Sequence, residues 1–313
     1  MNRMSDDHSD KELAEIAHWE DVMRTMLLYS DFMEMRVRRK QEHLNRLSQA
    51  CFDRLPPLTF HVIEKLRECI SINQDFFTSL VSFQDYNFSP RDDPQRLPDK
   101  YKGNLIPSSQ LHRNNAVLHS ITREWSSEGK AEREATFGPL LEELRLRKPP
   151  TSQSCIKVLC PGSGVGRLPL EVAAAGYSAQ GNEYSVFMAV SGHFILNGIF
   201  ESNSFEICPW IDRESNVVNA ADPCRRVRIP DVVAADLLED AQDKDEAAFP
   251  RFSMAAGDFA EIYKSNEFSE FWDAVLTCFF IDTAPVVIDY VRVIYQTLKP
   301  GGVWINIGNS FVN

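Results

Sequence analysis

Three glycines at alternate positions, Gly162, Gly164 and Gly166, follow directly on a short apolar run, residues 156–159, that stops at Pro161. This pattern is a strand ending in a turn where the backbone can approach a ligand with no Cβ in the way. Leu168, Leu170, Val172 and Ala173 then suit a helix packed on a sheet, and Gly176 can end that helix with a positive φ. Residues 177–181 fit a second strand, with Glu183 just past its tip. A carboxylate at that place suits ribose hydroxyls, so the layout is that of a nucleotide-type site.

The spacing separates two cofactor classes. A dinucleotide fingerprint wants G-x-G-x-x-G, and Arg167 stands at its last glycine. The G-x-G-x-G turn instead resembles the S-adenosylmethionine (SAM) loop of class I methyltransferases, with Cys160 where many of them carry an acidic residue. Ala256-Gly257-Asp258-Phe259 resembles the acidic-aromatic pair that reads adenine in that fold. Residues 271–280 read as a fourth strand running to the site's rim, and Leu298-Lys299-Pro300-Gly301-Gly302-Val303-Trp304-Ile305 resembles the turn and strand that follow the next helix. The expected fold is therefore α/β, a Rossmann-like class I methyltransferase sheet with an N-terminal all-helical domain.

The elements that must position these residues divide at Pro149-Pro150. Residues 1–150 are expected to form the helical domain, with 1–10 disordered and a Pro-rich surface loop over 85–107; residues 151–313 form the SAM-binding domain. Ile16, Trp19, Met23, Met26 and Leu27 recur at helical spacing from Glu12 onward, and Val62, Ile63, Leu66, Ile70, Phe76, Phe77 and Leu80 share one broad face of a second long helix. The basic run Arg36, Arg38, Arg39, Lys40 reads as a solvated helix face rather than a phosphate patch. Residues 208–250 show little periodicity and read as an excursion outside the fold core.

Composition narrows the classes further. The chain has 313 residues with 45 acidic against 33 basic side chains, and a net charge of -12 argues against a general nucleic-acid or anionic-membrane partner. Seven cysteines without a C-x-x-C pair suit free thiols in a reducing compartment rather than disulfides or a zinc site, so no metal is expected. The N-terminus lacks the apolar core of a signal peptide, and no run approaches a membrane span, which leads to the expectation of a cytoplasmic protein, with the nucleus left open.

Several strings are more specific than the fold. Trp125-Ser126 with Gly129-Lys130-Ala131-Glu132-Arg133, the Gly-rich turn, Gln180-Gly181-Asn182-Glu183, Pro209-Trp210-Ile211, Gly257-Asp258-Phe259 and residues 277–284 together resemble the carnosine N-methyltransferase family. That resemblance implies SAM-dependent methylation of an imidazole nitrogen of carnosine (β-alanyl-histidine) to give anserine. It implies SAM contacts from Arg123, Gly162, Gly164, Glu183, Asp258, Phe259 and Cys278, and a dipeptide contact from Asp282. The family has a glutamine three residues before the arginine, where this chain has Ser120.

Asp282 also has a chemical rationale. A carboxylate accepting from one imidazole N–H holds the tautomer that leaves the other nitrogen's lone pair free. The plainer alternative is a helix N-cap, because Thr-Ala-Pro follows it. Cys278 equally suits a small core residue. The sequence stops at Asn313, just after the fifth strand, where the family continues with a histidine and further dipeptide contacts, so a truncated product with an exposed apolar strand edge is expected. Alternatives are a methyltransferase of another histidine-containing peptide or protein, and a non-catalytic SAM-binding protein. The expected partner is a small dipeptide, with no nucleic acid and no membrane; a homodimer is left open.

Overall fold

The computed structural model describes residues 3–54, 58–88, 108–150, 155–213, 222–242 and 252–308. Most of the expected 85–107 loop and Asn313 fall outside these residues. The chain forms two compact units, residues 1–119 with 205–229, and residues 120–204 with 230–313.

The first unit is built on helices α1 (Arg3–Leu27), α2 (Tyr29–Asn45), α3 (Gln49–Phe52), α4 (Leu58–Phe88) and α5 (Ser108–Leu111), and on the start of α6 (Arg113–Trp125). Helix α1 begins ahead of Glu12, at Arg3, so the expected disordered leader is helical from there on, and α4 runs on through Asp85 to Phe88. The apolar stripes read from the sequence face inward at Met23, Met26, Phe76, Phe77 and Leu80, all buried, whereas Ile16 at the start of the first stripe is exposed. Arg38, Arg39 and Lys40 are exposed, while Val37 just before them is buried, as on an amphipathic helix.

A small antiparallel hairpin, β3 (Phe205–Ile207) with β4 (Val227–Ile229), joins these helices. Asn73 on α4 fixes its place: the side-chain oxygen accepts from Cys208 N at 2.7 Å, and Nδ2 donates to Cys208 O and to Tyr29 Oη, each at 2.9 Å. A buried carboxamide with its capacity so filled specifies one register rather than many. The low-periodicity stretch from Cys208 onward, expected as an excursion outside the fold core, is instead tied into a core, with Cys208, Ile211, Val227 and Ile229 buried.

The second unit holds a five-stranded sheet of order β5-β2-β1-β6-β7, built from β1 (Lys157–Pro161), β2 (Ser178–Glu183), β5 (Phe252–Ala256), β6 (Trp272–Cys278) and β7 (Leu298–Ile307). Every pairing is parallel. Helices α7 (Lys130–Arg147), α8 (Arg167–Ala174), α9 (Val186–Gly198), α10 (Ala234–Gln242), α11 (Phe259–Tyr263) and α12 (Val287–Thr297) complete it. This is the doubly wound α/β arrangement expected of the fold.

Alternation along the strands sends side chains to two cores. Val158, Cys160, Ala274 and Leu276 pack with Leu140 and Leu144 of α7 and with Leu168 and Val172 of α8. Leu159 and Val275 face the opposite layer, with Phe259, Tyr263, Tyr290 and Val293. Each fully buried large side chain contributes about 1.5–3 kcal/mol. Helix α7 therefore covers the sheet, although it lies before the Pro149-Pro150 break where the sequence reading put the domain boundary. Strand β7 starts earlier than Val303: Leu298 pairs with Trp272, and the ladder resumes at Ala274 with Val303. The Pro300-Gly301-Gly302 residues between them form a bulge, with Gly301 at φ 76°.

Candidate functional site

The order of strands reverses between β1 and β6, and ligands of open α/β sheets bind beyond the carboxyl ends of strands at that point. A cavity of about 480 Å³ opens there, with walls from Pro161 and Gly162 after β1, Glu183 after β2 and Cys278 at the end of β6. Helix α6 supplies Ser120, Arg123 and Glu124, and α7 supplies Glu132, Arg133 and Thr136.

The turn adopts the conformation its glycines allow. Gly162, Gly164 and Gly166 have φ of 66°, 57° and 89°. A Cβ on Gly162 would lie 2.5 Å from the Phe280 ring, and one on Gly164 would lie 2.5 Å from Glu124 Oε1. Both left-handed backbone and close approach therefore exclude a side chain.

Glu183 faces this turn. Its carboxylate accepts from Gly164 N at 2.8 Å and from Ser185 N at 2.7 Å. Burial pushes its carboxyl up, and the N–H groups of Ser185, Gly164 and Tyr184 pull it back. Asn182 beside it donates to Gly257 O at 3.0 Å, which ties the tip of β2 to the loop carrying Asp258.

Helix α6 holds the other side of the turn. The Trp125 indole N–H donates to Val165 O at 3.1 Å. Glu124 accepts from Arg167 N at 3.2 Å and from Val165 N at 3.5 Å. Burial raises the Glu124 carboxyl to about 7, against the lowering effect of those N–H groups and of Arg123.

The corner between α6 and α7 explains the Trp-Ser…Gly-Lys-Ala-Glu-Arg string. A Cβ on Gly129 would lie 2.0 Å from Arg123 O, so only glycine fits. Arg133 Nη1 donates to Arg123 O at 2.7 Å and Ser126 O at 2.8 Å, satisfying carbonyls left over at the end of α6. Asp231 bridges Arg133 and Arg167, the latter at 2.8 Å.

Of the residues expected to contact SAM, Arg123, Gly162, Gly164, Glu183 and Cys278 are together in the cavity wall. Cys278 is half-buried, and burial first, then the Glu124 charge, pushes its thiol up to about 11. Asp258, Phe259 and Asp282 are not among the described wall residues. Asp258 caps α11, accepting from Glu261 N at 2.8 Å, and Phe259 is buried against Tyr263, Phe280 and Tyr290. Asp282 is exposed in a single 3-10 turn, Ile281–Thr283, and not at the start of a longer helix.

Ser120, at the position where the resemblance implied a glutamine, lines the cavity and accepts from Arg123 Nη2 at 3.2 Å. Sequence reasoning missed Glu124, Thr136 and Phe279. Phe279 has φ 50°, an uncommon value for an aromatic residue, at the rim beside Cys278. No spacing rule links Glu124 to a turn forty residues away; its adjacency to Arg123 was the one available signal.

The wall suits SAM. Its volume lies in the range of about 300–1,000 Å³ usual for small-ligand sites. It presents a tight glycine turn, a carboxylate at the tip of the second strand, and an exposed arginine that donates to the uncharged Ser120 Oγ. Arg123 would hold the methionyl carboxylate and Glu183 the ribose.

A family model described as carnosine N-methyltransferase matches residues 103–309. Carnosine N-methyltransferase of Mus musculus is 36% identical over 303 residues, covering 96% of this chain and 72% of that protein. The protein of that name from Dictyostelium discoideum is 36% identical over 307 residues, with 94% and 64% covered. That from Schizosaccharomyces pombe is 34% identical over 300 residues, with 94% and 77% covered. With its cavity, glycine turn and α6–α7 corner all inside the matched span, the chain belongs to the carnosine N-methyltransferase family.

Proposed function

We propose that this chain methylates an imidazole nitrogen of carnosine, using SAM and giving anserine. The observation that carries the reading is the cavity at the carboxyl ends of β1, β2 and β6, walled by family-matched residues on all sides. SAM, when bound, supplies an activated methyl group, so little acid-base machinery is asked of the protein. What the chain must do is hold donor and acceptor in line and keep water out.

The wall residues divide that work. Glu183 and the glycine turn form the nucleoside end, and Arg123 with Ser120 forms the charged amino-acid end. Asp258 and Phe259, at the end of β5, are proposed for the adenine. Asp282 is proposed to accept from the imidazole N–H, holding the tautomer whose other nitrogen carries the lone pair. Asp282 is exposed in its 3-10 turn.

The test is a radiolabelled methyl-transfer assay with SAM and carnosine beside a SAM-binding titration on the same sample. Transfer to carnosine is expected. SAM binding without transfer to carnosine would overturn the reading in favour of another acceptor or a non-catalytic binder.

A further inference from the structure

Glu124 has no assigned role, yet it lines the cavity next to Arg123 on the same turn of α6. We propose that the Glu124 carboxylate contacts the cofactor, accepting from the α-ammonium of SAM's methionyl end while Arg123 takes the neighbouring carboxylate. The proposal rests on the SAM reading above.

The charges match the ligand. An amino-acid end is a zwitterion, and adjacent Arg and Glu side chains in one wall complement both of its charges. The first strand supplies no anion for this purpose: Cys160, where an acidic residue is common in turns of this kind, is fully buried, and burial pushes its thiol up. Of the other two carboxylates in the wall, Glu183 lies at the nucleoside end and accepts from Gly164 N and Ser185 N at 2.8 and 2.7 Å, and Glu132 is on α7.

The Glu124 contacts are weaker, at 3.2 and 3.5 Å. A carboxylate so placed is short of positive partners for its burial, and an ammonium would offset that deficit. Gly164 adds a steric observation: a Cβ there would meet Glu124 Oε1 at 2.5 Å, so only a glycine leaves room for this oxygen beside the turn.

The charged groups around Glu124 are few. Arg123 on its own helix favours the ionised form and Glu183 from β2 opposes it. Arg167 from α8 donates its backbone N–H to the carboxylate and its guanidinium to the Glu124 carbonyl, at 3.3 Å. Cys278 from β6 is held as a neutral thiol, and Glu132 and Arg133 from α7 share the cavity wall. With a carboxyl poised near neutrality, arrival of an ammonium expels the proton it carries.

Calorimetric titrations with SAM, S-adenosylhomocysteine and 5′-methylthioadenosine, each in two buffers of different ionisation enthalpy, test this. The last ligand lacks the amino-acid end. Glu124→Gln should weaken SAM and S-adenosylhomocysteine about tenfold or more, the scale of a lost charged hydrogen bond, and 5′-methylthioadenosine by less than about twofold. The unmodified chain should release up to about half a proton near pH 7 with S-adenosylhomocysteine and none with 5′-methylthioadenosine.

An equal loss for all three ligands would reduce Glu124 to a prop for the turn and overturn the contact. Unchanged affinities would overturn it too. Should Glu124→Gln not fold, proton release by the unmodified chain decides alone, and none with S-adenosylhomocysteine overturns the proposal. If the unmodified chain binds 5′-methylthioadenosine but neither amino-acid ligand, the contact fails while a nucleoside site stands; if it binds none of the three, the cofactor reading falls and takes the contact with it.

Discussion

Replacing Asp231 by Asn tests whether the α6–α7 corner depends on a residue nearly a hundred positions away. Asp231 is the shared counterion of two buried guanidiniums, Arg133 and Arg167, and its own N–H donates to Trp125 O at 2.9 Å. Burial alone pulls the Arg133 guanidinium down, and the Asp231 charge is the largest effect opposing that. Removing one partner of a buried pair costs about 3–5 kcal/mol because a charge is left uncompensated. Here Arg167 retains Glu171 at 2.8 Å and Arg133 retains the carbonyls of Arg123 and Ser126, which places the expected loss near the lower end, about 3 kcal/mol. For a unit of this size that is a fall in Tm of roughly 6–12 °C. Urea denaturation of the two chains measures it, with SAM titration alongside, since Arg133 holds the carbonyl of Arg123. A stability change under about 0.5 kcal/mol, the ordinary level for a surface substitution, would refute the reasoning.

Gly164→Ala should cost about 1–2 kcal/mol for a side chain at φ 57° and displace the Glu124 carboxylate, so SAM affinity falls more than stability; unaltered affinity would contradict the steric argument. Asp282→Asn should lower turnover on carnosine while leaving the SAM dissociation constant unchanged, and full turnover would remove Asp282 from the reaction. The Glu124 carboxyl, raised by burial from 4.5 to about 7, binds a proton more tightly in the folded chain than in the unfolded one. Its contribution is therefore fully present below the unfolded value and lost as pH rises through the folded one, by about 3 kcal/mol between roughly pH 4.5 and 7. Denaturant midpoints of the unmodified chain and of Glu124→Gln across that window should differ in slope, and parallel curves would show that Glu124 is not the group responsible.

Local rules carried far along the second unit. The β-branched run before Pro161, the left-handed glycines and Glu183 at the tip of β2 were legible because each is a short-range demand: strand propensity, positive φ, a carboxylate one turn from the loop. Helical spacing in α1 and α4 likewise identified the buried stripe. The family strings were legible as strings, but the reasons for them were not. Gly129 is required by its 2.0 Å approach to Arg123 O, and Arg133 by carbonyls that only the corner brings to it. Residues 208–250 looked uninformative because a buried Cys208 backbone and an Asp231 counterion leave no periodic trace.

By itself, the sequence determined the turn, the strand and helix patterns and the family, since these depend on residues within a few positions of one another. Tertiary structure alone decided which groups meet in the cavity. Hydrogen bonds and charges act over about 3–4 Å of space and are indifferent to separation along the chain. Thus Glu124 and Gly164, or Asp231, Arg133 and Arg167, become neighbours only when α6, α7 and α8 have packed around the end of the parallel sheet.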